Sequence, residues 1–154
     1  MKEVTIYTDG SARGNPDGPG GYGTVLLYVD ANGTTHRKEL SEGYAKTTNN
    51  RMELMAAIAG LEALNFPCSV TLYSDSKYLT DAFNSGWIDS WIKKGWKKSD
   101  GKPVINPDLW QRLLKAAKPH SVRWIWVKGH NGNPENERCD KLATEAADAL
   151  KESF

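Results

Sequence analysis

The chain has 154 residues, a formal net charge of +1, 39% hydrophobic residues and 25% charged residues. This length and composition are typical of one globular domain, here expected to span residues 1–154, that buries roughly two-thirds of its unfolded surface without metal or disulfide staples. No apolar stretch approaches the ~20 residues of a membrane span and no signal-peptide apolar region opens the chain, so we expect a cytoplasmic protein without a membrane partner.

The first third of the chain predicts three strands. Period-two alternation of β-branched and aromatic residues over Val4–Asp9 predicts a strand that ends in an acid. A loop rich in Gly and Pro covers residues 10–21, and a second strand follows from about Tyr22 to Val29. An Asp-Ala-Asn-Gly hairpin signal then precedes a third strand from about His36 to Tyr44, which gives an antiparallel meander.

The remaining two-thirds alternates helices with two more strands. A helix between two strands is a crossover, so the later strands should run parallel to the first. We therefore predict an α/β fold with a five-stranded mixed sheet, a three-stranded antiparallel meander plus two parallel strands, flanked by helices. The predicted elements are a helix carrying Leu54 to Leu64, a strand over Val70–Asp75, a short helix near Lys77–Asn84, a short helix and a loop within residues 86–101, a helix starting at Asn106–Pro107, a strand over Val122–Val127, and a helix from about Glu135 to Glu152.

Four carboxylates are expected to meet at one edge of this sheet. Asp9 and Asp75 close strands that point the same way, and open α/β folds keep their sites at that carboxyl edge. Helices that follow such strands begin at the same edge, which places Glu53 in a first helical turn and Asp140 in a second. If the two strands are neighbours, Asp9 and Asp75 nearly touch, because strands lie ~4.8 Å apart.

Such a cluster favours divalent cations. Several acids in a partly dry cleft either raise one another's pKa or hold cations. Oxygen ligands favour Mg²⁺, with Mn²⁺ as a second candidate, over zinc, and Cys68 and Cys139 have no paired spacing for a zinc site and are expected to be free core thiols. Two such ions suit in-line displacement at a phosphodiester.

Each acid also has a structural alternative. Glu53 could complete a capping box with Asn50, three residues earlier. Asp75 could simply stop a strand ahead of the Ser76 helix cap, and Asp140 could be a solvated helix residue. The convergence of the acids, rather than any one of them, favours a site.

Several motifs resemble bacterial type 1 ribonuclease H. The similarity covers nearly the whole chain and keeps the motif order. The motifs are Thr8–Ser11, Gly14–Pro16, Thr48–Leu54, Ser74–Ser76, Trp126–His130 and Asn136–Asp140.

The resemblance implies an endonuclease that hydrolyses the RNA strand of an RNA–DNA hybrid and leaves 3′-hydroxyl and 5′-phosphate ends. It implies that Asp9, Glu53, Asp75 and Asp140 bind two metal ions with substrate and act in catalysis. His130 matches a histidine thought to help proton transfer or product departure, and its alternative is a loop histidine that faces solvent.

The same resemblance implies contacts with both strands of the hybrid. The Gly10–Ser11 backbone, Asn15 and Asn49 match positions that contact the RNA strand, although turn and cap roles are alternatives for both asparagines. The loop carries Asp17 as an extra residue relative to the common family form, so its contacts stay open in detail. The stretch from Trp87 to Lys102 resembles the family's basic protrusion, which grips the DNA strand. Its candidate contacts are Lys93, Lys94, Lys97 and Lys98, which would bind phosphates, and Trp87, Trp91 and Trp96, for which packing of the protrusion is favoured over base stacking.

Three competing functions remain at this point. A non-catalytic hybrid-binding module would use the basic protrusion alone. Relatives of the same fold that cut DNA are the nearest enzymatic competitors, and a metal-free glycosidase with two carboxylates is disfavoured by the lysine-rich arm. The favoured interpretation is a monomeric ribonuclease acting on a hybrid duplex.

Overall fold

The computed structural model describes residues 1–14, 18–129 and 132–152. No helix within these ranges is long and apolar enough to cross a bilayer. The elements are β1 (Lys2–Ala12), β2 (Gly20–Val29), β3 (Thr35–Tyr44), α1 (Asn49–Glu62), β4 (Cys68–Ser74), α2 (Lys77–Asn84), α3 (Trp87–Lys93), α4 (Pro107–Ala117), β5 (Ser121–Trp126) and α5 (Pro134–Glu152).

The five strands form one mixed sheet in the order β3-β2-β1-β4-β5. β1 pairs antiparallel with β2, and β2 with β3, while β1 pairs parallel with β4, and β4 with β5. This confirms the predicted meander and parallel pair. Because β1 lies beside β4, the carboxyl ends of these two strands are neighbours at one edge of the sheet.

Helices cover both faces of the sheet. Thr24 of β2 donates its hydroxyl hydrogen bond to the Ala56 carbonyl of α1 at 2.7 Å, so this face of β2 points at α1. Gly23, the next residue back, faces α5, because a Cβ there would collide with the Cys139 carbonyl. α2 and α4 pack beside α1, and the buried core between them includes Val4, Ile6, Leu54, Ile58, Leu61, Val70, Leu72, Leu79, Trp110 and Leu113.

β1 and β2 are longer than predicted at their shared end. The Gly/Pro-rich composition predicted a loop over residues 10–21, but β1 continues to Ala12 and β2 begins at Gly20. Ser11 pairs with Gly21 and Ala12 with Gly20. The expectation that Asp9 ends its strand is therefore wrong, since antiparallel pairing with β2 carries the ladder three residues further.

Helix α1 starts earlier than the predicted capping box. Thr48 is the N-cap, and its side chain accepts the Arg51 backbone N–H at 3.2 Å. Asn50 is already inside the helix, and Glu53 lies in the second turn rather than the first. The capping-box alternative for Glu53 is therefore wrong, because the cap position belongs to Thr48.

The segment predicted as a short helix and a loop contains α3 and, after it, a loop whose Trp96 packs against the core. Trp91 packs edge-on against Trp110 with ring centroids 5.4 Å apart, and Trp96 lies 6.5 Å from Trp91. Trp87 is 41% exposed. Both cysteines are free and buried, as predicted.

Candidate active site: an acidic cleft at the sheet edge

Asp9 and Asp75 lie where the two central parallel strands separate. The β1–β4 pairing ends at Tyr7 and Tyr73, so Asp9 lies two residues beyond the last pair. Asp75 is the first residue after β4. Both side chains therefore project into the gap that opens between the strands at their carboxyl ends.

Glu53 reaches the same gap from α1 because the strand and helix backbones touch. A Cβ on Gly10 would lie 2.5 Å from the Glu53 nitrogen and 2.5 Å from the Met52 carbonyl carbon. Only a glycine leaves room for this approach. The contact places the carboxyl of Glu53, which is 8% exposed, beside that of Asp9.

The three carboxylates form a compact oxygen cluster. One oxygen from each of Asp9, Glu53 and Asp75 lies within 4.8 Å of the other two. Glu53 Oε1 is buried and has no hydrogen-bond partner among the described residues. A buried carboxylate oxygen without a donor costs free energy, and a cation in the cluster would supply the missing partner.

Asp140 lies in the second turn of α5 and lines the same cleft as Asp9 and Asp75. It stands outside the tight set of three, although its charge acts on Asp9. The predicted convergence of four acids thus appears as three clustered carboxylates and a fourth that lines the same cleft.

Burial and mutual repulsion perturb the titration of the cluster. Burial, followed by the charges of Asp75 and Asp140, raises the pKa of Asp9 from its ordinary 3.8 to about 8. Burial, followed by the charge of Asp9, also raises the pKa of Glu53 well above its usual range. Both shifts mean that the cleft resists negative charge unless a positive ion enters it.

The donor set fits a hard divalent cation. The clustered ligands are all carboxylate oxygens, which Mg²⁺ and Mn²⁺ accept, and zinc's preferred nitrogen and sulfur ligands are absent from the described walls of the cleft. The raised pKa values of Asp9 and Glu53 and the all-oxygen ligand set thus both favour a bound cation.

Three of the predicted RNA-strand contacts lie within the described residues. Gly10 and Ser11 lie in β1 immediately after Asp9. Asn49 is exposed at the start of α1, where its Oδ1 accepts the Ala12 N–H at 2.7 Å. The cap alternative for Asn49 is wrong, because Thr48 holds that position, and Asn49 instead ties α1 to the end of β1. Asn15, Asp17 and His130 lie outside the described residues.

The predicted DNA-strand contacts lie on a separate protrusion made by α3 and the loop after it. Lys93, Lys94 and Lys97 are exposed and Lys98 is half-buried. Within residues 1–14, 18–129 and 132–152, no ion pair involves these lysines. Trp91 and Trp96 contribute mainly to packing, as predicted, whereas Trp87 offers more of its ring to solvent.

Two polar residues of α5 that line the cleft were not predicted as part of the site. Asn136 and Glu137 of α5 line the cleft together with Asp140. Asn136 stands four residues before Asp140, and this helical spacing puts both on one face. The signal was thus present in the sequence, but it depended on knowing which face of α5 looks into the cleft.

The fold and the cleft together define an α/β protein with an oxygen-rich edge site suited to divalent cations. A family model described as RNase H matches residues 1–148. Ribonuclease H of Lachnoclostridium phytofermentans is 68% identical over 146 residues, which cover 95% of this chain and 92% of the relative. Ribonuclease H of Pectobacterium carotovorum is 60% identical over 148 residues, which cover 96% of this chain and 92% of the relative. The chain belongs to the RNase H family.

Solved structures agree with this assignment. LC9-RNase H1, described as a type 1 RNase H with the type 2 active-site motif, is 34% identical, with a TM-score of 0.87 over 97% of this chain and 74% of that one. LC11-RNase H1, solved in complex with an RNA/DNA hybrid, is 26% identical, with a TM-score of 0.64 over 96% of this chain and 98% of that one. The predicted resemblance to bacterial type 1 ribonuclease H is confirmed.

Proposed function

We propose that this chain is an endonuclease that hydrolyses the RNA strand of RNA–DNA hybrids with the help of two divalent ions and leaves 3′-hydroxyl and 5′-phosphate ends. The observation that carries the proposal is the cluster of Asp9, Glu53 and Asp75 within 4.8 Å, with a buried Glu53 oxygen that has no hydrogen-bond donor among the residues that the structure describes. Membership of the RNase H family supports the substrate class, since curated relatives are named ribonuclease H.

The four acids would hold the metal. Asp9, Glu53 and Asp75 contribute the clustered oxygens, and Asp140 contributes a carboxylate from the α5 wall. Bound Mg²⁺ or Mn²⁺ would lower the pKa of the attacking water and would neutralise charge that develops on the phosphate oxygens. The protein's part is rigidity, because Asp9 sits within a paired strand and Glu53 within a helix that packs against it.

Selection of the RNA strand would come from polar groups beside the acids. The exposed side chain of Asn49 accepts the Ala12 N–H through its carbonyl oxygen, and no hydrogen bond from its amide group is found among the described residues. A 2′-hydroxyl is both a donor and an acceptor, so amides and backbone groups at Gly10 and Ser11 can distinguish RNA from DNA. Asn15 is proposed for the same task from its place in the sequence motif.

The protrusion would hold the DNA strand. Its exposed lysines Lys93, Lys94 and Lys97, together with half-buried Lys98, carry positive charge that other described residues do not neutralise. Contacts of this kind attract phosphates without regard to base sequence. A structural neighbour, LC11-RNase H1, was solved with an RNA/DNA hybrid, which supports a duplex partner.

His130 is proposed to assist proton transfer or product departure, on the strength of its sequence motif. The monomeric state and the cytoplasmic location stay predictions.

The test uses end-labelled RNA–DNA hybrid, duplex DNA and duplex RNA of one sequence, each incubated with Mg²⁺. Cleavage confined to the RNA strand of the hybrid, with 5′-phosphate ends, is expected. Cutting of duplex DNA at a similar rate would favour a DNA nuclease of the same fold. Hybrid binding in EDTA followed by no turnover after Mg²⁺ or Mn²⁺ addition would favour a non-catalytic binding module.

A matched pair of variants ties the activity to the cleft. Asp9→Asn is expected to abolish cleavage, while Glu145→Gln, which removes a charge from a side chain 60% exposed on α5, is expected to cleave like the wild type. Full activity of Asp9→Asn in Mg²⁺ would refute the assignment of the acids.

A further inference from the structure

The two parallel ladders, β1–β4 and β4–β5, end just before the acidic cleft. The last β1–β4 pair is Tyr7 with Tyr73, and the last β4–β5 pair is Ser74 with Trp126. The β1–β4 pairing therefore stops short of Asp9 and Asp75, which lie beyond its last pair. Between β4 and β5 one further backbone hydrogen bond follows the last pair, from the Val127 N–H to the Ser74 carbonyl at 2.9 Å. Backbone pairing between β1 and β4 does not reach the two acids, so other contacts help to fix their separation.

Two side chains bond across the strands where the ladders stop. The hydroxyl of Thr8 donates to the Tyr73 carbonyl at 2.9 Å and so ties β1 to β4 one residue before Asp9. The indole N–H of Trp126 donates to the Asp75 carbonyl at 3.0 Å and so ties β5 to the residue that carries the second acid.

The burial of Thr8 and the exposure of Trp126 point to this role rather than to packing alone. Thr8 is 3% exposed, so its hydroxyl needs a protein partner, and the one it uses belongs to the strand that carries Asp75. Trp126 is 42% exposed, which is unusual for a large aromatic ring, and the Lys77 ammonium lies 4.6 Å from its ring centroid. The ring of Trp126 thus lies at the surface while its N–H binds the main-chain carbonyl of Asp75 at the cleft.

We propose that Thr8 and Trp126 are positioning residues that set the separation of the Asp9 and Asp75 carboxylates and thereby the metal affinity of the cleft. This inference rests on the proposed function. Metal ligands depend on the groups that orient them, and displacements of about 0.5 Å already weaken a site. Neither residue supplies a carboxylate, so the effect of each must pass through the geometry of the two acids.

The experiment compares variants that differ by single polar groups. Thr8→Val removes the hydroxyl and keeps the shape, Thr8→Ser keeps the hydroxyl, and Trp126→Phe keeps an aromatic ring without the N–H. Thr24→Val is the matched control, because Thr24 is also a fully buried threonine on a neighbouring strand that donates to a carbonyl, in its case to Ala56 of α1. Mn²⁺ binding to the substrate-free chain is measured by calorimetry, alongside kcat and KM for the hybrid and thermal unfolding.

Thr8→Val and Trp126→Phe are each expected to raise the Mn²⁺ dissociation constant about tenfold and to lower kcat at limiting Mg²⁺ by a similar factor, with KM changed less than about twofold. Thr8→Ser should recover Mn²⁺ affinity to within about threefold of the wild type. Thr24→Val should lower the unfolding temperature as Thr8→Val does, because both lose a buried hydrogen bond, while its Mn²⁺ affinity stays near that of the wild type.

Equal Mn²⁺ affinity in Thr8→Val and Thr24→Val would overturn the proposal and leave Thr8 a structural role. Equal loss in Thr8→Ser and Thr8→Val would also overturn it, since the hydroxyl would then be irrelevant. A wild-type chain that binds no Mn²⁺ would overturn it outright. A chain that binds Mn²⁺ but does not cut the hybrid would refute the proposed function, while the binding constants would still decide the roles of Thr8 and Trp126.

Discussion

Replacing Asp9 with Asn should stabilise the metal-free protein while it destroys the proposed activity. The ordinary pKa of this carboxyl is 3.8, and burial together with Asp75 and Asp140 raises it to about 8. Between these values the folded chain keeps a proton that the unfolded chain releases. Stability therefore falls as pH rises from about 4 to about 8, and an amide at this position removes that dependence.

The size of the effect follows from the shift. At pH 7, about three units above the ordinary pKa of 3.8 and still below the raised pKa of about 8, the loss of stability has an upper bound of about 4 kcal/mol, at 1.36 kcal/mol for each unit. Water that enters the open cleft reduces this, and we expect about 1–3 kcal/mol, or an unfolding temperature about 3–9 °C above the wild type. The Gly10 N–H, which donates to Asp9 Oδ1 at 2.9 Å, keeps an acceptor in the Asn side chain.

The assay is thermal unfolding in EDTA at pH 4.5, 7 and 8, repeated at pH 7 with Mg²⁺. The advantage of Asp9→Asn should be small at pH 4.5 and grow toward pH 8, and Mg²⁺ should stabilise the wild type more than the variant. Glu145→Gln should stay within about 0.5 kcal/mol of the wild type at every pH, as exposed substitutions do. An advantage that is the same at pH 4.5 and 8, or a variant less stable than the wild type at pH 8 in EDTA, would refute the electrostatic argument.

Two further predictions concern the strand–helix contact at Gly10 and the lysines of the protrusion. Gly10→Ala should lower stability by about 1–3 kcal/mol and weaken Mg²⁺ binding, because its Cβ would lie 2.5 Å from the Glu53 nitrogen and push α1 away; an unchanged unfolding temperature would contradict this contact. Replacing Lys93, Lys94, Lys97 and Lys98 together with Gln should raise KM for the hybrid, leave kcat nearly unchanged, and reduce the slope of log affinity against log salt by about 0.7–0.9 for each lysine that contacts a phosphate. The control exchanges exposed Lys115 of α4 and exposed Lys118, which follows that helix, for Gln, and an equal loss of affinity there would show that only overall charge matters.

The sheet and the edge that holds the site were predictable because they depend on local patterns and on chain direction. Alternation marks the strands, and a crossover helix forces a parallel return, so Asp9 and Asp75, which follow the parallel-paired parts of β1 and β4, lie at one edge of the sheet. β4 ends at Ser74 with Asp75 directly after it, and α2 runs from Lys77 to Asn84 as predicted. In these elements local preference and global fold agree.

Predictions from the sequence were wrong where contacts between residues far apart in the chain determine the structure. The glycines around Gly20 are typical of a loop, yet they pair with β1, and Gly21 and Gly23 lie so close to α5 that any side chain there would collide with it. The α1 cap fell on Thr48 because the chain enters the helix two residues earlier than the Asn50 signal indicates. Distances such as the one between Asp140 and the other acids depend on how α5 docks, which no local pattern encodes.

The raised pKa values of Asp9 and Glu53 reflect the free-energy cost of placing uncompensated carboxylates in the cleft. The Glu53 oxygen without a donor among the described residues reflects the same cost. Without a cation, the fold loses stability with rising pH because Asp9 and Glu53 resist ionisation in the cleft at the carboxyl ends of β1 and β4. A divalent ion that binds in the cleft relieves the repulsion among these carboxylates. Part of its binding free energy therefore comes from removing a repulsion that is present in the metal-free fold. The stability that the metal-free chain loses between pH 4 and 8 should therefore track the stability that saturating Mg²⁺ restores. A variant that loses less stability between pH 4 and 8 should also gain less stability from saturating Mg²⁺. This coupling distinguishes a metal site from a group of acids that are only neighbours on a surface.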